Sequence, residues 1–172
     1  MLFRSSFIQL FDNATYLIDR NRVRPGANMG VLPVNHPDIE EFIRSKSAAG
    51  ILRNFNISVA IDDEFIRCLQ NGEDYPLLHL RTGVAVGRKN PSAILDLIVE
   101  SAWRSGDPGL LFIDRINQAN PTPRFGRLEA TNPCGEQPLL PYESCTLGSI
   151  NLTKILRDGD IRSEERRVGK EC

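Results

Sequence analysis

Cysteine is scarce in this chain. Four thiols, at positions 68, 134, 145 and 172 of 172 residues, are too few for a disulfide-stapled secreted scaffold. No charge sign dominates either. The 21 Lys and Arg against 22 Asp and Glu leave a formal net charge of −1, so nothing advertises a nucleic-acid or anionic-membrane partner. No apolar run approaches the roughly 20 residues of a membrane-spanning helix. The opening MLFRSSFIQLFDNAT lacks the apolar block and small-residue cleavage site of a secretory signal. Histidine occurs only at His36 and His79, and no Cys-x-x-Cys or Cys/His spacing is present to hold zinc, so no metal site is expected. Walker and Rossmann glycine patterns are missing too. What remains, 41% hydrophobic and 25% charged residues, suits a soluble, globular, cytoplasmic protein of about one domain. Composition says nothing about chemistry.

Apolar residues alternate between helical and strand spacing, which predicts an α/β protein with parallel strands. Phe7, Phe11, Ala14 and Ile18, with Leu10 and Leu17, predict an amphipathic helix from Ser6 to about Arg20. Pro25 and Gly26 then punctuate a loop. Val31–Val34 reads as a short strand, and Pro37 as the first position of a helix whose start carries Asp38, Glu40 and Glu41. Phe55–Ile61 alternates as a strand, and the following DDEFIRCLQNG reads as a helix stopped by Gly72. YPLLHL and GVAV are expected as extended pieces around a turn at Thr82–Gly83. Asn90, Pro91 and Gly106 bracket the clearest helix as cap, first position and stop, and Leu110–Asp114 follows as a strand.

Two segments stand apart. Prolines and glycines interrupt Asn117 to Leu152, yet the apolar pieces PLLPY and LGSINL persist, so an ordered functional segment is expected there. The last stretch, Arg162 to Cys172 (RSEERRVGKEC), is mostly charged and shows no apolar periodicity. It resembles the conceptual translation of a sequencing-adapter oligonucleotide. Residues 1–161 are therefore read as the domain and 162–172 as a non-native tail.

The densest set of reactive side chains is TNPCGEQPLLPYESCTLGSINL, Thr131 to Leu152. Asn132, Cys134 and Glu136 alternate with Pro133 and Gly135, which disfavour a helix. On an extended backbone, residues two apart share one face at roughly 6–7 Å. Amide, thiol and carboxylate would then converge on one small polar ligand. The amide can bind hydroxyls, the carboxylate can take a proton from one, and the thiol can be a nucleophile or a hydrogen-atom donor. The residues alone leave that choice open. Elsewhere, Cys68 beside Ile66 and Leu69 reads as a core thiol. His36 reads as a cap or surface residue, and His79 as a satisfied strand histidine.

ATNPCGEQPLLPYESCTLGSINL resembles the active-site finger loop of the ribonucleotide reductase catalytic (large) subunit, in the form typical of its adenosylcobalamin-dependent, class II members. RPGANMGVLPVNHPDIEEFI and NFNISVAI, upstream in the same order, resemble the same family, and the likeness runs from Ser6 to about Leu156. The resemblance implies reduction of ribonucleotides to 2′-deoxyribonucleotides, the precursors of DNA, by a thiyl radical. It implies a ten-stranded α/β barrel of two five-stranded halves with the finger loop threaded through it, of which this chain would hold a middle portion. Cys134 would become the radical that removes the ribose 3′ hydrogen, Glu136 would take the 3′-hydroxyl proton, and Asn132 would hydrogen-bond the ribose hydroxyls. No Lys, Arg or His lies near Cys134 in sequence to favour its thiolate, which suits that role.

Cys145 matches one member of the dithiol that reduces the substrate, its partner lying upstream of Met1. Arg24, Gly26, Ala27 and Asn28 fall in the loop that links a bound deoxynucleoside triphosphate effector to substrate choice, with Pro25 where arginine or glycine is more usual. The implied cofactor is adenosylcobalamin. The implied partners are a ribonucleotide, a thioredoxin- or glutaredoxin-type reductant and, for the full-length protein, a second copy. Other readings compete. One is a class I large subunit fed by a small subunit's radical, against which NPCGEQPL favours the cobalamin class. Another is a cysteine hydrolase with Cys134 as nucleophile, which wants a histidine base. The last is a nucleotide-binding fragment without catalysis.

Overall fold

The computed structural model describes residues 5–19, 26–48, 50–149, 151, 156–157 and 160–161. Arg24 of the expected effector loop and the tail 162–172 lie outside the described residues. Helix α1 (Ser5–Asp19) precedes strand β1 (Asn28–Pro33), α2 (Ile39–Arg44) and β2 (Phe55–Ile61). Next come α3 (Asp63–Asn71), a ribbon of β3 (Tyr75–Leu78) and β4 (Ala85–Lys89), α4 (Pro91–Ser105) and β5 (Gly109–Phe112). The chain continues through α5 (Ile113–Gln118) to two short pairs, β6 (Ala130–Thr131) with β7 (Pro138–Leu139) and β8 (Leu156–Arg157) with β9 (Asp160–Ile161).

Capping chemistry accounts for the two best-marked helices. Asn90 accepts a hydrogen bond from Ser92 N at 2.8 Å, Pro91 takes the first position, and Gly106 closes α4 at φ +82°. Asp62 caps α3 in the same way, accepting from Phe65 N at 2.7 Å. Its second oxygen accepts from the buried Tyr75 hydroxyl at 2.6 Å, which ties the β3–β4 ribbon to α3. Burial, and then that carboxylate, hold the Tyr75 phenol well above its ordinary pKa.

The sheet is parallel, in the order β1-β2-β5, with Asn28 opposite Phe55 and Ser58 opposite Gly109. Parallel neighbours need crossovers, which α2 and the α3-to-α4 segment supply. Side chains alternate along a strand, so Ile57, Val59 and Ile61 point to one face. There they join Phe42, Ile43, Phe65, Ile94 and Ile98 in the buried core. Burying each such side chain contributes about 1.5–3 kcal/mol. The opposite face presents Met29 and Val31, then Asn56, Ser58 and Ala60, then Gly109 and Leu111, in register. A Cβ at Gly109 would meet Ser58 Oγ at 2.9 Å, so the serine side chain would have to shift to admit one. Asn56, Ser58 and Gly109 make the middle of that face small or polar, and the face meets segment 127–135.

The resemblance implies a middle portion of a barrel, and the described residues form an open α/β sheet. Among the described residues β1 and β5 end the sheet and no barrel closes, because three strands are too few to curve shut. Helix α1 forms where predicted, but its apolar stripe of Phe7, Leu10, Phe11, Leu17 and Ile18 is exposed. Polar bonds hold its other side to the body. Asn54 N donates to Asp12 Oδ1 at 2.8 Å, and Asn28 Nδ2 donates to Thr15 Oγ1 at 2.9 Å. The strand expected over Leu110–Asp114 stops at Phe112, since α5 begins at Ile113. Helix α2 starts at Ile39, with Pro37 in the turn before it. In that turn His36 Nδ1 accepts from Asp38 N at 3.0 Å, so His36 is a buried turn-former and not a surface residue.

Candidate active site

The reactive segment is shaped by its flanking strands. Ala130 pairs with Leu139 and Thr131 with Pro138 in an antiparallel ladder, so residues 132–137 must reverse the chain. Pro133 restricts the backbone entering the turn, and Gly135 takes φ +85°, a conformation natural to glycine. Gly135 N donates to Asn132 O at 2.9 Å, and Asn132 N to Gln137 O at 3.2 Å. Gln137 N donates to Asn132 Oδ1 at 3.0 Å.

A tight turn therefore replaces the extended backbone expected from the alternation of Asn132, Cys134 and Glu136. Proline and glycine, which argue against a helix, serve a turn as well as a strand. The alternation rule lapses in such a turn. Asn132 is buried with its Oδ1 holding the loop, while Cys134 and Glu136 are exposed.

Cys134 stands on the wall of a groove of about 440 Å³. Pro133 and Gly135 share that wall, opposite Met29, Asn56, Ser58, Asp107, Gly109 and Leu111 of the sheet side. Asn132, Glu136 and the half-buried Cys145 are not among the lining residues. Among the described residues, no basic side chain lines the groove. Its one carboxylate, Asp107, is already occupied: one oxygen accepts from Ile57 N at 3.1 Å and the other pairs with Lys46 Nζ at 2.6 Å. Lys46 also donates to Phe55 O, so this pair braces the start of β2.

Asn56 was not singled out from the sequence, yet it joins the two halves of the site. Its Nδ2 donates to Pro133 O at 2.6 Å across 77 residues of chain. The signal that could have found it is strand parity, which puts Asn56 and Ser58 on the face away from Ile57 and Val59. Of the expected effector-loop residues, Gly26, Ala27 and Asn28 lead straight into β1, whose next residue Met29 lines the groove. Asn28 N also donates to Asn54 O at 2.6 Å.

The two histidines line a separate hollow of about 100 Å³ with Pro37, Leu80 and Val86. Burial lowers the His36 pKa below its ordinary value, against the partial opposition of Asp38. Neither imidazole borders Cys134, which leaves the hydrolase reading without its base. Cys68 is a core thiol as expected, raised in pKa by burial. Among the described residues, no group of three His, Cys, Asp or Glu side chains is placed to hold a metal ion. Within them, too, no helix is long and apolar enough to cross a membrane.

Comparison with known proteins agrees with the family resemblance. The chain is 51% identical over 155 residues to the vitamin B12-dependent ribonucleoside-diphosphate reductase of Thermoplasma acidophilum, covering 90% of this chain and 20% of that protein. It is 48% identical over 157 residues to the enzyme of that name from Mycobacterium tuberculosis, covering 91% of this chain and 23% of the relative. To the vitamin B12-dependent ribonucleotide reductase of Streptomyces coelicolor it is 34% identical over 158 residues, with 78% of this chain and 16% of the relative covered. The chain thus spans about a fifth of the length of these relatives. A family model described as the ribonucleotide reductase barrel domain matches residues 4–170, and the chain belongs to that family.

Proposed function

We propose that the chain is a portion of a class II ribonucleotide reductase catalytic subunit that reduces ribonucleoside diphosphates to their 2′-deoxy forms in the cytoplasm. One observation carries this reading. Cys134 is presented at the tip of a bonded turn, on a groove with no basic residue among those described, beside the strand that Gly26, Ala27 and Asn28 lead into. A thiolate nucleophile wants a base. A thiol that gives and takes a hydrogen atom does not.

The residues present suit the cofactor named for the relatives in one respect, an exposed thiol without a competing cation. Adenosylcobalamin, when bound, supplies the one-electron chemistry that oxidises such a thiol. The protein's part is positional. Cys134 as a thiyl removes the ribose 3′ hydrogen, and Glu136 takes the 3′-hydroxyl proton so that the 2′-hydroxyl leaves as water. With Asn132 Oδ1 engaged by Gln137 N, its Nδ2 is the group left to bind a ribose hydroxyl. Cys145 and an upstream thiol supply the two electrons, restored by a thioredoxin- or glutaredoxin-type reductant. Gly26, Ala27 and Asn28, with Arg24, belong to the effector loop that answers a deoxynucleoside triphosphate.

The same reading extends to assembly. Other strands of the parent complete the open sheet to a ten-stranded barrel, and a second copy covers the exposed apolar stripe of α1. Residues 162–172 are read as foreign to the domain although the family match runs to residue 170. The parent's reading frame across residue 161 decides that point. For the chemistry, Cys134→Ala in the full-length parent is expected to abolish deoxynucleotide formation with added adenosylcobalamin and dithiol. Glu136→Gln should lose most of the rate while still binding nucleotide. Near-normal turnover in either variant sinks the reading. Turnover without cobalamin but with an iron or manganese small subunit would move the protein to class I.

A further inference from the structure

The bonds inside the 132–137 turn set its shape but not its place on the sheet. One bond that fixes its place comes from β2. Asn56 Nδ2 reaches across to Pro133 O at 2.6 Å, on the residue immediately before Cys134. Pro133 has no N–H to donate, so its carbonyl is the backbone group available for anchoring at this point.

The donor itself stands on a braced strand end. Ile57 N is held by Asp107, whose other oxygen pairs with Lys46, and both charged side chains are largely buried at 16% and 14% exposure. Met29, in register with Asn56 on β1, faces the same groove.

From this geometry we infer that Asn56 is a positioning residue for Cys134, fixing the thiol at the groove by holding the Pro133 carbonyl to β2. The inference deepens the proposed radical role of Cys134 and rests on it. A loose tip leaves the thiol at a varying distance from the ribose carbon, and misplacement of about 1 Å can cost on the order of 100-fold in rate. Substrate binding, which draws on the rest of the site, is left largely as it was.

The donor, rather than the shape of the side chain, is what the test must isolate. Asn56→Asp keeps the shape but removes the N–H₂ and sets a carboxylate against a carbonyl. Asn56→Gln keeps the donor. In the full-length holoenzyme, Asn56→Asp is expected to lose about tenfold or more in kcat, the scale of one hydrogen bond. Its KM should stay within about twofold and its melting temperature should be unchanged. Amide exchange across residues 132–137 should quicken in Asn56→Asp, and Asn56→Gln should recover most of both properties.

Unchanged kcat in Asn56→Asp overturns the inference. So does a rise in KM alone, which would make Asn56 a substrate contact, and so does a rate loss explained by a lower melting temperature. Cys134→Ala, assayed alongside, separates the two levels: its activity, if retained, sinks the radical reading whatever Asn56 does.

Discussion

Replacing Gly135 by alanine probes the turn that carries Cys134. At φ +85°, a side chain is strained by the backbone whatever space surrounds it. Space is not the issue, because nothing lies within 4 Å of a Cβ built there. The whole cost is therefore conformational, about 1–2 kcal/mol for a residue held in the left-handed region. The turn has little margin to absorb that. Its bonds from Gly135 N, Asn132 N and Gln137 N contribute about 0.5–1.5 kcal/mol each, and the entropy of ordering the loop opposes them. Strain of this size shifts the balance between the closed turn and open conformers by about 5- to 30-fold. In the full-length enzyme we expect Gly135→Ala to lower kcat by about tenfold, with KM little changed and faster amide exchange over 132–137. Asn tolerates positive φ better than other residues with a Cβ, so Gly135→Asn should stand closer to the parent. The assay is initial-rate formation of deoxynucleotide with saturating cofactor and reductant. Wild-type kcat in Gly135→Ala would falsify the turn, because an extended segment would accept alanine freely.

Two further outcomes follow from burial and from open edges. Burial lowers the His36 pKa, so the folded state binds this proton less tightly than the unfolded chain. Its contribution to stability is full above the unfolded value near 6.5 and is lost as pH falls through the depressed folded value. Melting temperature against pH should show that acid-side decline in the parent and a flatter profile in His36→Gln, and identical profiles would refute the assignment. The 172-residue chain alone is expected to give no ribonucleotide turnover and to self-associate, with Leu110 and Phe112 of β5 at 38% and 48% exposure on an unpaired edge. Measurable product from a monodisperse preparation would contradict both halves of that expectation.

Local chemistry was legible in the sequence and long-range chemistry was not. Asn90, Pro91 and Gly106 mark α4 to the residue because capping depends on neighbours a few positions away. The strand over Phe55–Ile61 was equally plain, since its apolar residues answer to one buried core. Helix α5 was missed because it follows β5 directly, with Phe112 before it and no side-chain cap bond. It is braced instead by Asp114, which accepts from Asp63 N at 2.9 Å and pairs with Arg127 at 2.5 Å. The amphipathic pattern of α1 was legible as well, although its apolar stripe is exposed among the described residues. At the site, the residue types around Cys134 were identifiable from the segment itself. Their presentation was not, because Pro133 and Gly135 fit a strand and a turn alike, and the choice was made by the β6–β7 pairing. Asn56 was beyond local reading altogether, being 77 residues from the carbonyl it binds.

On the proposed radical reading, two electrons must reach the substrate, and Cys145 is the thiol of this chain assigned to carry them. Replacing the 2′ C–O bond of a ribonucleotide with C–H consumes two electrons, and a Cys134 that gives back its hydrogen atom supplies none of them. Of the free thiols among the described residues besides Cys134, Cys68 is 1% exposed and packs with Ile57 and Val59, on the face of the sheet turned away from the groove. Its burial also raises its pKa, against the thiolate that exchange requires. Cys145 is only half-buried, and it follows a turn in which Glu143 N donates to Leu140 O at 3.1 Å while Leu140 N donates to the Glu143 carboxylate at 2.9 Å. That turn redirects the chain after β7, and on the proposed reading Cys145 pairs with a thiol from elsewhere in the parent. Pairing with Cys134 would instead consume the radical site. Cys145→Ser in the full-length enzyme should therefore still lose the substrate's 3′ hydrogen to Cys134 but stop before multiple turnovers with a dithiol. In the wild type, peptide mapping after one turnover without reductant should find Cys145 in a disulfide. A free Cys145 thiol in that sample, or sustained turnover by the serine variant, would reduce it to a packing residue and send the search for the electrons to other cysteines of the parent.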